Sequence, residues 1–124
     1  MKFETKKFAG TIEILAADDF TAIPFTVTET TAVKAGTPMT LAGKKATFTA
    51  GTGGAAGTTT ANGVLLYDVD PAENPNAALV VQGVINQKKA EENSGVTYDA
   101  AALKVAVPGI VLRNNIGVNA TDAG

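Results

Sequence analysis

The chain has 124 residues, with 10 basic and 12 acidic side chains and a formal net charge of -2. It contains no cysteine and no histidine, which excludes disulfides and Cys-ligated metals and removes the commonest general base. The charge balance gives no overall attraction to nucleic acid, and no apolar run approaches the roughly 18 residues that span a bilayer. We therefore expect one domain over residues 1–124 that is not an enzyme. We also expect no catalytic residue, cofactor, metal, small-molecule substrate, nucleic acid or membrane partner.

The first ten residues mix lysines with Phe3 and Phe8 in imperfect alternation. Because chain termini are commonly mobile unless they dock, residues 1–10 are predicted to be a mobile arm, which could become ordered on a partner surface. Glu4 and the lack of a long apolar stretch are not typical of a signal peptide. The protein is therefore expected to stay in the cytoplasm where it is made.

Short strands are predicted through the first half of the chain. Thr21–Thr28 places alternate apolar residues on one face, and Pro24 within it favours an edge strand. A second short strand is expected to follow a turn at Ala35-Gly36. The further predicted segments are a strand at Thr11–Leu15, a strand at Ala46–Ala50 with Phe48 inward, and a surface loop or wide hairpin at Gly51–Asn62.

Two dense apolar runs, Gly63–Val69 and Ala77–Ile85, flank a turn rich in Asp, Pro and Asn. Such runs are typical of buried strands. The two-residue period places Leu65, Tyr67 and Val69 on one face of the first run, and Leu79, Val81 and Ile85 on one face of the second. The opposite faces are also apolar, with Val64 and Leu66 in the first run and Val80 and Val84 in the second. A strand that is apolar on both faces is covered either by a second layer or by a partner chain. Val64, Leu66, Val80 and Val84 are therefore candidate oligomer-interface residues.

The last third is predicted to hold at most one short helix. Gln87–Gly95 is polar all round and is expected to be a solvated loop or one helical turn. Asp99 can cap a short helix at Ala100–Leu103, and a last strand follows at Ile110–Leu112 before a loose tail at 114–124. Taken together, the predicted elements indicate an all-β fold, a small β-barrel or sandwich of short strands.

Three patterns that carry chemistry elsewhere are weak here. Gly51–Ala56 matches G-x-G-x-x-A, but a strand rather than a phosphate-binding helix follows it. Asp68, Asp70 and Glu73 form the densest acidic cluster, yet Pro71 and Ala72 occupy positions where a calcium loop needs ligands, so a solvated strand end is favoured. The only serine, Ser94, lies outside any nucleophile elbow. Function is therefore expected to reside in association.

The order of segments at Gly36–Asn86 resembles the lambda-type head decoration proteins of tailed phages. The matching features are Thr-Pro-Met-Thr-Leu at Thr37–Leu41, a Gly/Thr-rich stretch, Gly63-Val64-Leu65-Leu66, and a second apolar strand after the Asp/Pro/Asn turn. Ala100–Leu112 is similar to the family's Ala-rich ending. The chain also resembles the capsid-binding part of phage head fibre proteins.

This resemblance implies a small β-tulip-like virion structural protein, made in the host bacterial cytoplasm and located on the capsid surface. It would bind the outer surface of the shell as a homotrimer and stabilise it, with the major capsid protein and other copies of itself as partners. The arm could add a strand to a capsid-protein sheet. Phe3, Lys6, Lys7 and Phe8 are the candidate capsid contacts.

The alternative is a β-barrel binding or carrier module of biotinyl/lipoyl type, because Val33-Lys34-Ala35-Gly36 resembles the V-K-x-G turn of those domains. Such carriers display a modified lysine at a hairpin tip. Lys44-Lys45 lies in a predicted turn but is flanked by Gly43 and Ala46, so the usual motif is not met. A third class is a small hydrolase, for which Asp68 and Asp70 would be the residues to mutate.

Overall fold

The computed structural model describes residues 14–114. In chain order the described elements are β1 (Leu15–Thr26), β2 (Pro38–Met39), β3 (Phe48–Thr49), β4 (Thr58–Thr59), β5 (Gly63–Leu65), β6 (Asn76–Asn86), α1 (Gln87–Ser94), α2 (Ala100–Ala106) and β7 (Ile110–Arg113). This architecture confirms the predicted all-β class. The predicted arm at 1–10 and the tail beyond Asn114 lie outside the described residues.

Strand β6 is the centre of the main sheet. It pairs antiparallel with β1 along one edge, and its other edge is shared between antiparallel β5 at Leu79–Val80 and parallel β7 at Gly83–Asn86. The described strands run in the order β1-β6-β5-β2, and the sheet is open rather than closed into a barrel. Within that order β1 lies at the edge, as Pro24 predicts. Strands β3 and β4 form a separate hairpin, and Phe48 packs inward as expected.

Apolar residues pack against both faces of β6, and each face carries its own apolar core. The helix-side core contains Ile14, Ala35, Ala61, Val64, Val80, Ile85, Ala90, Tyr98, Leu103, Val107 and Ile110. The opposite core contains Val27, Val33, Met39, Leu65, Val69, Ala77 and Leu79. The double burial expected from the sequence therefore arises within the chain, because helices α1 and α2 supply a second layer on one face.

The predicted grouping of Ile85 with Leu79 is wrong. Thr21 lies opposite Gln82 but the next residue, Ala22, lies opposite Val80, so β6 carries one extra residue at this point. One inserted residue moves every later side chain to the other face of a strand. Ile85 therefore packs in the helix-side core while Leu79 packs in the opposite one.

The expectation of a solvated loop at Gln87–Gly95 is also wrong, because these residues form the eight-residue helix α1. The Asn86 side chain accepts a hydrogen bond from the Lys89 N–H, and Gly95, at a left-handed φ of 76°, donates its N–H to the Glu91 carbonyl. Both ends are thus capped. The described chain therefore holds two helices, and Asp99 caps the second as predicted, through the Ala102 N–H.

The turn formed by residues 33–37, here called the VKAGT turn, ties α1 and Tyr98 to the sheet. The Ala35 N–H donates to Asp68 Oδ1 (2.8 Å), and Asn93 Nδ2 donates to the Ala35 carbonyl (2.9 Å). The Gly36 N–H donates to the Leu65 carbonyl (2.9 Å), and the Tyr98 hydroxyl donates to the Gly36 carbonyl. The main chain of this buried turn is therefore satisfied by groups from distant parts of the sequence.

Gly36 is where the turn meets α1 most closely. Its φ is +93°, and a Cβ there would lie 2.7 Å from the Ala90 carbonyl oxygen. Both features require glycine, because other residues are strained at positive φ and any side chain would push the helix away.

Gly36→Ala is predicted to lower the free energy of unfolding by about 2–4 kcal/mol, the sum of backbone strain and overpacking. Gly54→Ala is the matched control, because Gly54 has a similar φ of +86° with open space around it. It is predicted to cost only about 1–2 kcal/mol. Urea unfolding of the two variants measures the difference, and equal losses would show that the contact with α1 contributes nothing.

The buried Tyr98 hydroxyl makes the stability of the fold depend on alkaline pH. Tyr98 is 6% exposed, and burial, followed by the nearby Glu91 charge, raises the pKa of its hydroxyl above the ordinary value of 10.0. Above pH 10 the unfolded chain loses this proton while the folded chain keeps it, so stability is full below pH 10 and falls above it, by up to ~1.4 kcal/mol per pH unit.

Tyr98→Phe is predicted to lose about 1–2 kcal/mol at neutral pH, because the Gly36 carbonyl is left without its donor. The same variant should lack the Tyr98 part of the alkaline decline. Unfolding free energies of wild type and Tyr98→Phe, measured from pH 8 to about 11.5, should therefore converge as pH rises. Parallel curves would contradict the assignment.

Candidate functional site

A surface groove of about 340 Å³, lined by both polar and apolar residues, lies where β1, β6 and β7 meet. Phe20 and Val111 border it with 41% of each residue exposed, and Val84 lies half-buried between their strands. The remaining lining residues are Asp19, Thr21, Gln82, Gly83 and Gly109. Phe20, Val84 and Val111 thus form a small apolar patch within this mixed lining.

The groove is built by irregularities in the sheet. Leu15 lies opposite Ile85 and Phe20 lies opposite Gly83, so β1 has four residues where β6 has only one. This bulge turns Phe20 to the surface. Gly83, at a φ of +145°, allows the close approach, because a Cβ there would lie 2.8 Å from the Phe20 Cβ.

The chemistry of the groove favours association. Aromatic and β-branched side chains held on strands lose little conformational freedom when a partner covers them. Aromatic residues of this kind are enriched among those that carry binding energy in interfaces. The groove is therefore one part of the described surface that is suited to a protein contact.

The predicted interface residues divide between core and surface. Val64 and Val80 are directly paired across β5 and β6, and both are 0% exposed in the helix-side core. Leu66 is half-buried against the same core, whereas Val84 lines the groove. Of the four candidate interface residues, only Val84 and, to a lesser degree, Leu66 are exposed enough to contact a partner chain. The candidate capsid contacts Phe3, Lys6, Lys7 and Phe8 lie outside the described residues.

The predicted acidic cluster lines a second surface cleft. Asp68, Asp70 and Glu73 border a space of about 390 Å³ together with Lys34 and Tyr67. Among residues 14–114, no three acidic, histidine or cysteine side chains are arranged to hold a metal ion. Asp70 Oδ1 accepts the Ala72 N–H (3.1 Å), which is a local turn contact.

Asp68 lies three residues beyond the end of β5 rather than at a strand end, and its side chain has a structural role. Its Oδ1 accepts hydrogen bonds from the Ala35 N–H (2.8 Å) and Asn93 Nδ2 (3.1 Å), and its Oδ2 lies 3.7 Å from Lys34 Nζ. It therefore fixes the VKAGT turn against α1. Nothing local in the sequence signals this role, because its partners lie 33 residues before it and 25 residues after it.

The other sequence patterns take up local structural positions. Gly51–Ala56 connects β3 and β4, with Gly53 and Gly54 at positive φ, and β4 follows it. Lys44 Nζ donates to the Thr28 carbonyl (2.9 Å), and the Lys45 N–H donates to Glu29 Oε2 (2.8 Å).

Over residues 14–114, neither helix is long and apolar enough to cross a membrane.

Comparisons with family models, with curated proteins and with solved structures gave no match.

Asp68→Ala is predicted to lower the free energy of unfolding by about 1–3 kcal/mol, because the N–H of fully buried Ala35 loses its acceptor. Asp68→Asn keeps an acceptor oxygen and should lose less. Lys34→Ala is the control for the ion pair and should change stability by less than ~0.5 kcal/mol, because both side chains are at least half exposed. Urea unfolding separates the three variants. A larger loss for Lys34→Ala than for Asp68→Ala would refute this account.

Proposed function

We propose that the chain is a virion structural protein that binds the outer surface of a phage capsid as a trimer and stabilises the shell. Three observations support this function. They are the resemblance at Gly36–Asn86 to head decoration proteins, the all-β fold, and the surface groove that exposes Phe20, Val84 and Val111. The groove carries the proposal furthest, because it is a surface suited to contact with another protein.

In this proposal the groove is where one copy meets the next. A groove that receives a different part of a neighbouring copy makes a head-to-tail contact, and head-to-tail contacts close into rings such as trimers. Covering the exposed part of Phe20 and Val111 gains at most about 1–2 kcal/mol per contact. Such weak contacts become effective on a shell, because several act together in each trimer.

The capsid contact is assigned to the N-terminal residues. Phe3 and Phe8 supply apolar anchors, and Lys6 and Lys7 supply charges that set orientation. A segment of this kind can add a strand to an exposed sheet edge of the major capsid protein. Binding would place the protein on the virion after synthesis in the host cytoplasm.

The second candidate is the biotinyl/lipoyl-type carrier. Its support is the V-K-A-G turn at Val33–Gly36, which does form a turn in the structure. Against it, Lys44 Nζ is bonded to the Thr28 carbonyl, and the sheet is open over the described residues. Intact mass of protein from its natural host distinguishes the two, since a carrier has a covalent adduct on lysine.

The test of the groove uses Phe20→Ser and Val111→Ser in the full chain, with Val105→Ser as control. Val105 is 81% exposed on α2, away from the groove lining. Light scattering and co-sedimentation with expanded shells of the phage that carries this gene give the two readouts. Wild type and Val105→Ser are predicted to reach three times the 12.5 kDa chain mass, in solution or on shells.

Phe20→Ser and Val111→Ser are each predicted to weaken trimer formation by at least about tenfold while circular dichroism stays unchanged. Each substitution removes only part of the ~1–2 kcal/mol per contact, but the loss is repeated at every contact of the ring. Unchanged association of both groove variants would refute the groove as the contact. Failure of wild type to bind shells would refute the capsid proposal.

A further inference from the structure

The sequence contains one Asn-Gly dipeptide, Asn62-Gly63, at the start of β5. Asn62 is exposed and Gly63 is buried. In an Asn-Gly pair the backbone nitrogen of glycine can attack the asparagine side-chain carbonyl with no side chain in the way. We propose that Asn62 is a site of spontaneous deamidation whose rate is set by the β2–β5 pairing.

Asn62 and Gly63 each have their own structural role at this position. A Cβ on residue 63 would lie 2.6 Å from both Leu79 Cγ and the Val80 carbonyl oxygen, so only glycine fits beside β6. Asn62 Oδ1 accepts the Leu41 N–H (2.8 Å), and the Asn62 N–H donates to the Met39 carbonyl (2.8 Å). The side chain thus continues the pairing of β2 and β5 beyond the end of β2.

The reaction balances with water as the only co-reactant. The Gly63 nitrogen attacks Asn62 Cγ, the N–Cγ bond forms, and the Cγ–Nδ2 bond breaks as ammonia leaves with the proton from the Gly63 nitrogen. Water then opens the cyclic imide at one of its two carbonyl carbons. The products are aspartate or isoaspartate, and each is heavier than the original chain by about 1 Da.

The fold opposes the first step. Gly63 pairs with Met39, and Val64 pairs with Pro38, which holds the attacking nitrogen in an extended strand. The Leu41 N–H holds the side-chain oxygen of Asn62. Cyclisation therefore requires local opening of β2 from β5, and both strands are only two or three residues long.

The two products differ in their effect on the fold. Aspartate keeps an oxygen that accepts the Leu41 N–H. Isoaspartate adds one main-chain carbon before Gly63 and displaces that residue from its position against Leu79 and Val80. A protein that persists on a virion without resynthesis would accumulate both products, although the chemistry does not depend on the proposed function.

The experiment follows deamidation in the full chain, incubated at mildly alkaline pH with and without urea. Peptide mass spectrometry locates the mass gain, and an isoaspartate-specific methylation assay identifies the second product. Asn93, which precedes serine, serves as the internal comparison, and Asn62→Gln serves as the slow-reacting variant.

We expect the gain at Asn62 to exceed that at Asn93 in urea, and to be at least about tenfold slower in the folded protein, the ratio that an opening free energy of ~1.4 kcal/mol gives. Asn62→Gln should remove it. No excess at Asn62 in urea would overturn the site, and equal rates with and without urea would overturn control by the β2–β5 pairing.

Discussion

The buried main chain of the VKAGT turn, residues 33–37, is the constraint on which the rest of the structure depends. Peptide groups at Ala35 and Gly36 lie away from solvent, and each would cost about 1–3 kcal/mol if left without a partner. Their partners are Asp68, Leu65, Asn93 and Tyr98. Leu65 lies in β5 and Asp68 in the segment after it, Asn93 lies in α1, and Tyr98 lies between the two helices. Because the peptide groups of this one turn bond to α1 and to Tyr98, they fix where the helical layer lies on the sheet.

That placement decides which apolar surface remains available. Because α1 and α2 cover one face of β6, Val64 and Val80 become core residues of the same chain. The exposed apolar surface at the meeting point of three strands arises instead from the β1 bulge, which leaves Phe20 beside Val84 and Val111. The proposed association surface thus results from an irregularity in strand pairing. The face of β5 and β6 that carries Val64 and Val80 is already covered within the chain.

Sequence patterns predicted the regular parts of this fold. Alternation and turn residues located β6 and β7, Pro24 indicated an edge strand, and Asp99 marked the start of α2. They failed where distant residues decide the outcome. Helix α1 has one buried residue, Ala90, so its sequence has no apolar stripe that would predict a helix. The face of Ile85 depends on a bulge, and the role of Asp68 depends on partners far along the chain. Of the candidate site, the sequence located Val84 but not Phe20 or Val111.

The central claim, that the chain is a component of a phage head, is tested most directly by quantitative mass spectrometry of virions purified from cells that encode the chain. The proposed function predicts the chain on mature heads in fixed ratio to the major capsid protein. Heads that package DNA and contain no detectable copy of the chain would contradict the assignment to the capsid.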